Sequence, residues 1–483
     1  VRANALSALG RDEDALAAQV AAIRVDPEHR DAWYNLGLAL LRMGRDEEAL
    51  SSLDHALSLG CGDARRADCE ASRATALRGL GRLDEAIDAA RLATILRPDD
   101  QAKHRNLSIL LEEAGRHEEC LSACDTALGA HPSHAETLHR RGIALARLGR
   151  GDEAVASLMA AIEAEPGSAR YRCNAGLVLN ELGRPGEALA CFEAAIALDP
   201  LGAGAHHGKG LALHALGRPG EAVAAYDAAI AIDPAGAEAF SNRGNALHDC
   251  GRDEEALASY ARALALAPTY ADAHFNRAIA LEALARLEEA VCAYDAALAV
   301  DRAHARASCN RGNVLARLGR TDEALASYDR AIRLDDRLAE AQNNRGVLLR
   351  GLRRHEEACE CYRRAIGLRP GYAEAWNNLG TALNALRRHE EAVAAYDEAL
   401  RLKPDYVDAL SNRGCALNDL KRLPEALASF DHAIALRPGH ADAWYNRANA
   451  LQDHNRFADA LASFDRALEI APGHANALNN RAK

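Results

Sequence analysis

Eleven asparagines recur at one position of a repeated pattern: Asn35, Asn106, Asn174, Asn242, Asn276, Asn310, Asn344, Asn378, Asn412, Asn446 and Asn480. Ser72, Arg140 and Gly208 stand at the same position where the column breaks. Asparagine is a mediocre helix former, so its recurrence needs a reason. A carboxamide both donates and accepts hydrogen bonds. A row of them suits the backbone of an extended peptide, at roughly 0.5–1.5 kcal/mol net per bond. The same groups serve equally to tie neighbouring helices together, and the two roles are compatible.

Two charged columns flank this row. Four residues upstream lie Asp31, Asp68, Glu136, Glu238, Asp272, Glu340, Glu374, Asp408 and Asp442. These positions open a helix, where acids favour the helix dipole. One residue downstream lie Arg243, Arg277, Arg311, Arg345, Arg413 and Arg447, expected to pair with acids of adjacent repeats.

The other chemically capable residues form no catalytic constellation. The 12 cysteines do not keep zinc-site spacing, and Cys120/Cys124 and Cys359/Cys361 are poorly spaced for disulfides within regular helices. They read as small core thiols in a reducing compartment. His206 and His207 lack a carboxylate or thiol to complete a metal set. Gly202-Ala203-Gly204 lacks the strand and lysine of a phosphate loop. No serine or cysteine sits in a nucleophile elbow. The sequence thus predicts no enzyme, cofactor, metal or small-molecule substrate.

The elements that carry these columns follow from the period. Pro98, Pro132, Pro166, Pro200, Pro234 and Pro268 mark one beat, which resumes at Pro370, Pro404, Pro438 and Pro472 after Arg302 and Asp336. Ala256 through Ala460 and Tyr226 through Phe464 keep the same register. Within one repeat, Ala375, Trp376, Leu379, Ala382 and Leu383 form the apolar stripe of a first helix. Ala392, Val393, Tyr396, Ala399 and Leu400 form that of a second, which ends at Pro404. Between them, Gly149, Gly183, Gly217 and Gly251 occupy the left-handed C-terminal position. Arg353, Arg387, Lys421 and Asn455 replace glycine there, which predicts less well tuned turns. Gly210, Gly244, Gly312, Gly346, Gly380 and Gly414 recur in the first helix at about 1 kcal/mol each against alanine. We expect them to admit the second helix closely, with its recurrent alanine opposite.

Composition excludes several classes. Charged residues are 27% of the chain and the net charge is −12, without the basic stripe of a nucleic-acid binder. The acidity mildly favours basic or neutral partners. No long uncharged apolar run predicts a membrane span, and no signal peptide is visible, so a cytoplasmic protein is expected.

The spacing Trp376, Leu379, Gly380, Leu383, Ala392, Tyr396, Ala399, Pro404 resembles the tetratricopeptide repeat signature. The likeness covers essentially the whole chain. It divides residues 1–483 into a single array: a partial unit 1–29, a longer unit 30–66, twelve 34-residue units over 67–474, and a partial unit 475–483. The longer unit holds about three extra residues near Cys61-Gly62-Asp63. The broken end units predict a chain cut from a longer protein. The resemblance implies an all-α, right-handed superhelical solenoid of helix-turn-helix units, with the asparagines facing its concave groove. Asn106, Asn174, Asn242, Asn276, Asn310, Asn344, Asn378, Asn412 and Asn446 would then line a binding site for protein partners or extended peptides. The basic clamp of chaperone-tail adaptors is absent, since acids and asparagines hold its places. The array also looks like the repeat arms of bacterial O-linked N-acetylglucosamine transferases and SPINDLY-type proteins. That likeness implies an alternative role as the substrate-recognition region of a larger protein O-glycosyltransferase.

In a repeat array each unit packs mainly on its neighbours, so its stability is a sum of local terms. Calorimetry should therefore show unfolding spread over several transitions. A single sharp transition with matching van't Hoff and calorimetric enthalpies for the whole chain would contradict this.

Overall fold

The computed structural model describes residues 12–60 and 62–482. The first residues of the partial unit 1–29, together with Cys61 and Lys483, lie outside them. Twenty-eight helices and no strand are found among the described residues. They fall into two compact units, residues 1–250 and 251–483.

Each unit is built from repeated helix pairs. In the second, the pair Ala373–Ala385 and His389–Leu402 shows how sequence dictates the form. Ala375, Leu379, Ala382 and Leu383 are buried from the first helix, and Ala392, Val393, Tyr396 and Ala399 from the second. Consecutive helices pack on one another, so the core runs along the stack rather than gathering at a centre. No pair buries its apolar faces alone, which is the physical reason for stacking.

The turn between paired helices adopts the left-handed conformation whatever residue occupies it. Gly149, Gly183, Gly217 and Gly251 have φ of 69–74°, and Arg353, Arg387, Lys421 and Asn455 have φ of 59–62°. Ala285 does the same at 56°. The hydrogen bonds explain the insistence. Arg388 N donates to Leu383 O at 2.9 Å and Arg387 N to Asn384 O at 2.9 Å, closing the free carbonyls of the first helix. The turn geometry is as regular with arginine as with glycine, and neighbour packing imposes it.

The helical glycines have a different neighbour from the one expected. A Cβ on Gly210, Gly312, Gly346 or Gly380 would stand 2.5–2.7 Å from the ring of Tyr226, Tyr328, Tyr362 or Tyr396 respectively. Gly176 and Gly414 face Phe192 and Phe430 in the same way. The nearest group is thus the aromatic ring sixteen residues on, ahead of the recurrent alanine. Where leucine replaces the ring, at Gly37 and Gly142, the carbonyls of Ala49 and Ala154 are also close, at 3.3 and 3.2 Å.

The extra residues near 60–63 lengthen a helix. The first helix there runs Asp63–Gly79, 17 residues against 13 in Gln101–Glu113. One added turn at its N-terminus absorbs them, after a left-handed Gly60.

An L-residue held left-handed costs about 1–2 kcal/mol, part of which glycine returns through its freer unfolded chain. Arg353→Gly, Arg387→Gly and Lys421→Gly should each stabilise by about 0.5–1 kcal/mol, seen as a higher denaturant midpoint. Asn455→Gly should gain less, because asparagine tolerates this region. Lower midpoints for the three would contradict the strain argument.

Candidate functional site

All nine predicted asparagines, Asn106 through Asn446, lie on first helices and are half-buried. Their shared position comes from the 34-residue period, and their partial exposure from the polar edge of each first helix.

Most of the side chains reach toward the preceding first helix. Asn174 and Asn242 meet the Nε2 atoms of His139 and His207 at 2.7 and 3.0 Å. Asn378 and Asn412 donate from Nδ2 to the Oδ1 atoms of Asn343 and Asn377, both at 3.1 Å. Asn344 donates to Asn313 Oδ1 at 3.0 Å and accepts from Asn343 Nδ2 at 3.1 Å. Asn310 lies near Tyr294, where burial raises the pKa of the hydroxyl and the carboxamide acts to lower it. Asn106, Asn276 and Asn446 make no side-chain hydrogen bond among the described residues. A carboxamide has two N–H groups and two lone pairs. The bonded members therefore retain an N–H or a lone pair for an incoming chain.

The partners form a second column that the sequence reading missed. His139, His207, Asn343, Asn377 and Tyr445 stand one residue before the asparagine position, and each meets the asparagine 35 residues on. The signal was weak because this column mixes histidine, asparagine, serine, cysteine and aromatics. His139 is 5% exposed and stacks on Tyr171 at 4.7 Å. Burial, with help from the Arg170 charge, pushes its pKa down to about 4, so it accepts or donates as a neutral ring.

A third column anchors the loops. Trp33, Trp376 and Trp444 donate their indole N–H to the carbonyls of Pro27, Pro370 and Pro438 at 2.9–3.2 Å. The rings of His104, His206 and His274 reach Pro98, Pro200 and Pro268 at 2.8–3.1 Å. His206 and His207 therefore engage different partners, a proline carbonyl and Asn242.

The charged columns are internal ties. Arg243, Arg311, Arg345, Arg413 and Arg447 bond Asp227, Asp295, Asp329, Asp397 and Asp431 of the preceding repeat at 2.6–2.7 Å. Arg277 has alanine at the corresponding place, Ala261. Among the acids, Asp68 binds Lys103 at 2.9 Å and Asp442 binds His474 at 3.2 Å. Glu136 is held by Arg140 at 2.9 Å and by Arg170. Burial opposes ionisation of Glu136, but the Arg170 hydrogen bond and the two guanidinium charges hold its pKa below the usual carboxylate range. Cys69, Cys120, Cys124, Cys309, Cys359 and Cys361 are buried, and Cys250 and Cys292 are exposed. Burial raises the thiols of Cys309 and Cys361, so they pack rather than react.

Beside Asn344 lies a cavity of about 470 Å³, lined by Asn313, Ala316, Arg317, Tyr328, Asn344, Val347, Leu348, Gly351 and Leu352. Its walls come from the C-terminal halves of the first helices Ala305–Arg317 and Ala339–Gly351, with the ring of Tyr328 beside them. Among the described residues no helix is long and apolar enough to cross a membrane.

Comparison with known proteins gives a family. A tetratricopeptide repeat model matches residues 1–64, 72–135, 121–169, 139–203, 173–237, 343–407 and 411–475. A TPR repeat model matches 244–284, and a further tetratricopeptide repeat model matches 303–370. Among curated proteins no sequence matches the chain. Solved structures similar to it include YrrB, described as a TPR protein with an unusual peptide-binding site. It is 27% identical over 39% of this chain and 98% of its own, with a TM-score of 0.34. The APC/C hetero-tetramer Cut9-Hcn1 is another, 16% identical over 94% of this chain and 96% of the matched chain, with a TM-score of 0.45.

The hydrogen-bond pattern separates two kinds of asparagine. Asn378→Ala strands the Oδ1 atom of Asn343, a residue only 6% exposed, and should cost about 1–3 kcal/mol. Asn276→Ala removes no internal bond and gains helix propensity, so its cost should stay within about 0.5 kcal/mol. Urea titrations of the two variants measure the difference; equal losses would mean the column has one structural role throughout.

Proposed function

Because this chain belongs to the tetratricopeptide repeat family, we propose that it is an interaction scaffold binding extended peptides or protein partners along the surface of its first helices. One observation carries this reading. The asparagine column is partly exposed at every one of its nine predicted positions, and its carboxamides keep unused hydrogen-bonding groups after their internal bonds are counted. Extended backbone repeats an N–H and a C=O at each residue. A row of amides can pair with such a chain without reading its side chains. The repeat content is typical of non-enzymatic scaffolds, and most members of the ionisable columns pair off as helix ties rather than converging on a reacting atom. We assign the column Asn106, Asn174, Asn242, Asn276, Asn310, Asn344, Asn378, Asn412 and Asn446 to the binding face, within one continuous array over residues 1–483.

Replacing Asn276, Asn310 and Asn344 together with alanine tests the assignment. Loss of several backbone bonds at about 0.5–1.5 kcal/mol each should weaken peptide or partner binding by at least about tenfold while the helical circular dichroism survives. Unchanged affinity with intact helix would reduce the column to a structural role.

A further inference from the structure

The cavity beside Asn344 has a chemistry of its own, and the reading of it rests on the peptide-binding role proposed above. It lies between the first helices of two consecutive repeats, residues 305–338 and 339–372. Those 68 residues carry 14 arginines against nine acidic residues, in a chain whose net charge is −12. Its walls are apolar: Ala316, Val347, Leu348, Leu352 and the ring of Tyr328. Val347 and the C-cap residue Leu352 are 38% and 42% exposed, while Leu349 beside them is completely buried.

The polar groups at its edge still have hydrogen-bonding capacity. Asn313 Oδ1 takes the hydrogen bonds of Tyr328 Oη at 2.8 Å and Asn344 Nδ2 at 3.0 Å. Its own Nδ2 has no partner among the described residues. Arg317 is 51% exposed and touches its one acidic neighbour, Glu282, only at 3.6 Å. A guanidinium carries five N–H groups in a planar fork, so most of the fork remains available to a carboxylate.

We propose that this cavity is the anchor subsite for an acidic peptide segment, taking one aliphatic side chain of the partner. The leucine-sized side chain fills the space between Val347, Leu348 and Leu352. The Nδ2 group of Asn313 and the remaining hydrogen-bonding capacity of Asn344 take the backbone on either side of it. A glutamate or aspartate next to the anchor meets Arg317, within the positive field of the two repeats. The acidity of the whole chain pointed toward basic or neutral partners; locally the sign is reversed. Pockets of this kind, mostly apolar with a few converging polar groups, are where recognition energy concentrates.

Fluorescence anisotropy with the full chain tests this, using a labelled peptide of one leucine flanked by glutamates. Two controls replace the leucine with alanine or the glutamates with lysine. The parent peptide should bind at least about tenfold more tightly than either control, and added salt should weaken it. Val347→Glu and Arg317→Glu, both at exposed positions and checked by circular dichroism, should each weaken it by a similar factor. Equal binding of the alanine or lysine peptide would overturn the proposal, as would indifference to both variants. Self-association in light scattering that Val347→Glu abolishes would assign the cavity to a second copy of this chain and overturn it too. If a neutral peptide binds in a manner dependent on Asn310 and Asn344 while the acidic one does not, this subsite falls and the scaffold role stands. If no peptide binds in that manner, both fall.

Discussion

The contact between an aromatic ring on the second helix and a glycine on its paired first helix, made in most of the pairs from Gly176 onward, sets the spacing on which the stack depends. A Cβ on Gly346 would lie 2.7 Å from the Tyr362 ring, nearer than real side chains approach. The glycine therefore admits the ring, and the ring keeps the two helices close while filling the space between them. Ala278 and Ala448 occupy the glycine position beneath Tyr294 and Phe464, so one methyl is accommodated where the ring yields slightly. Anything larger would part the pair. Buried rings are also large apolar groups with defined shape, which suits a core that contains few other aromatics.

From that spacing the surface columns follow. With each pair held at one separation, residues 34 apart fall in register, and residues near the same position on adjacent first helices come within hydrogen-bond reach. The asparagine bonds to positions 35 residues back depend on this register. So do the arginine bonds to aspartates 16 residues back. Such exposed ion pairs contribute little individually. Their value lies in fixing which face of each first helix is turned outward, and hence in keeping the asparagine column partly exposed.

Much of this was legible in the residue order, because the period converts one-dimensional spacing into three-dimensional neighbours. The helix pairs, the break between them and the arginine ties could all be read from recurrence. The partner of the helical glycine could not. Alanine and aromatic columns recur with equal regularity, and which of them faces the glycine depends on helix rotation, to which a period is blind. The left-handed turns at Arg353 and Arg387 show the reverse case. Local preference argued against such a turn, but the closing hydrogen bonds and the packing of the next helix override it. The donors to the proline carbonyls were visible as letters, yet tryptophan, histidine and, at Arg172 beside Pro166, arginine share the position without sharing a type. Only geometry reveals that each offers an N–H at one height.

Heterogeneity of this kind bears on function. In a strictly repeated surface every unit offers the same contacts, and a bound chain has no reason to prefer one register. The asparagine column by itself would hold a backbone without placing it. Departures from the repeat supply the missing information: Arg140 where asparagine is expected, Gly208 likewise, and the arginine-rich pair of repeats around Tyr328 and Asn344. A side chain of the partner that fits one departure fixes the register of all the uniform contacts beside it. Uniform columns then contribute most of the affinity and irregular positions most of the selectivity, since binding energy that is the same in every register cannot distinguish one partner from another.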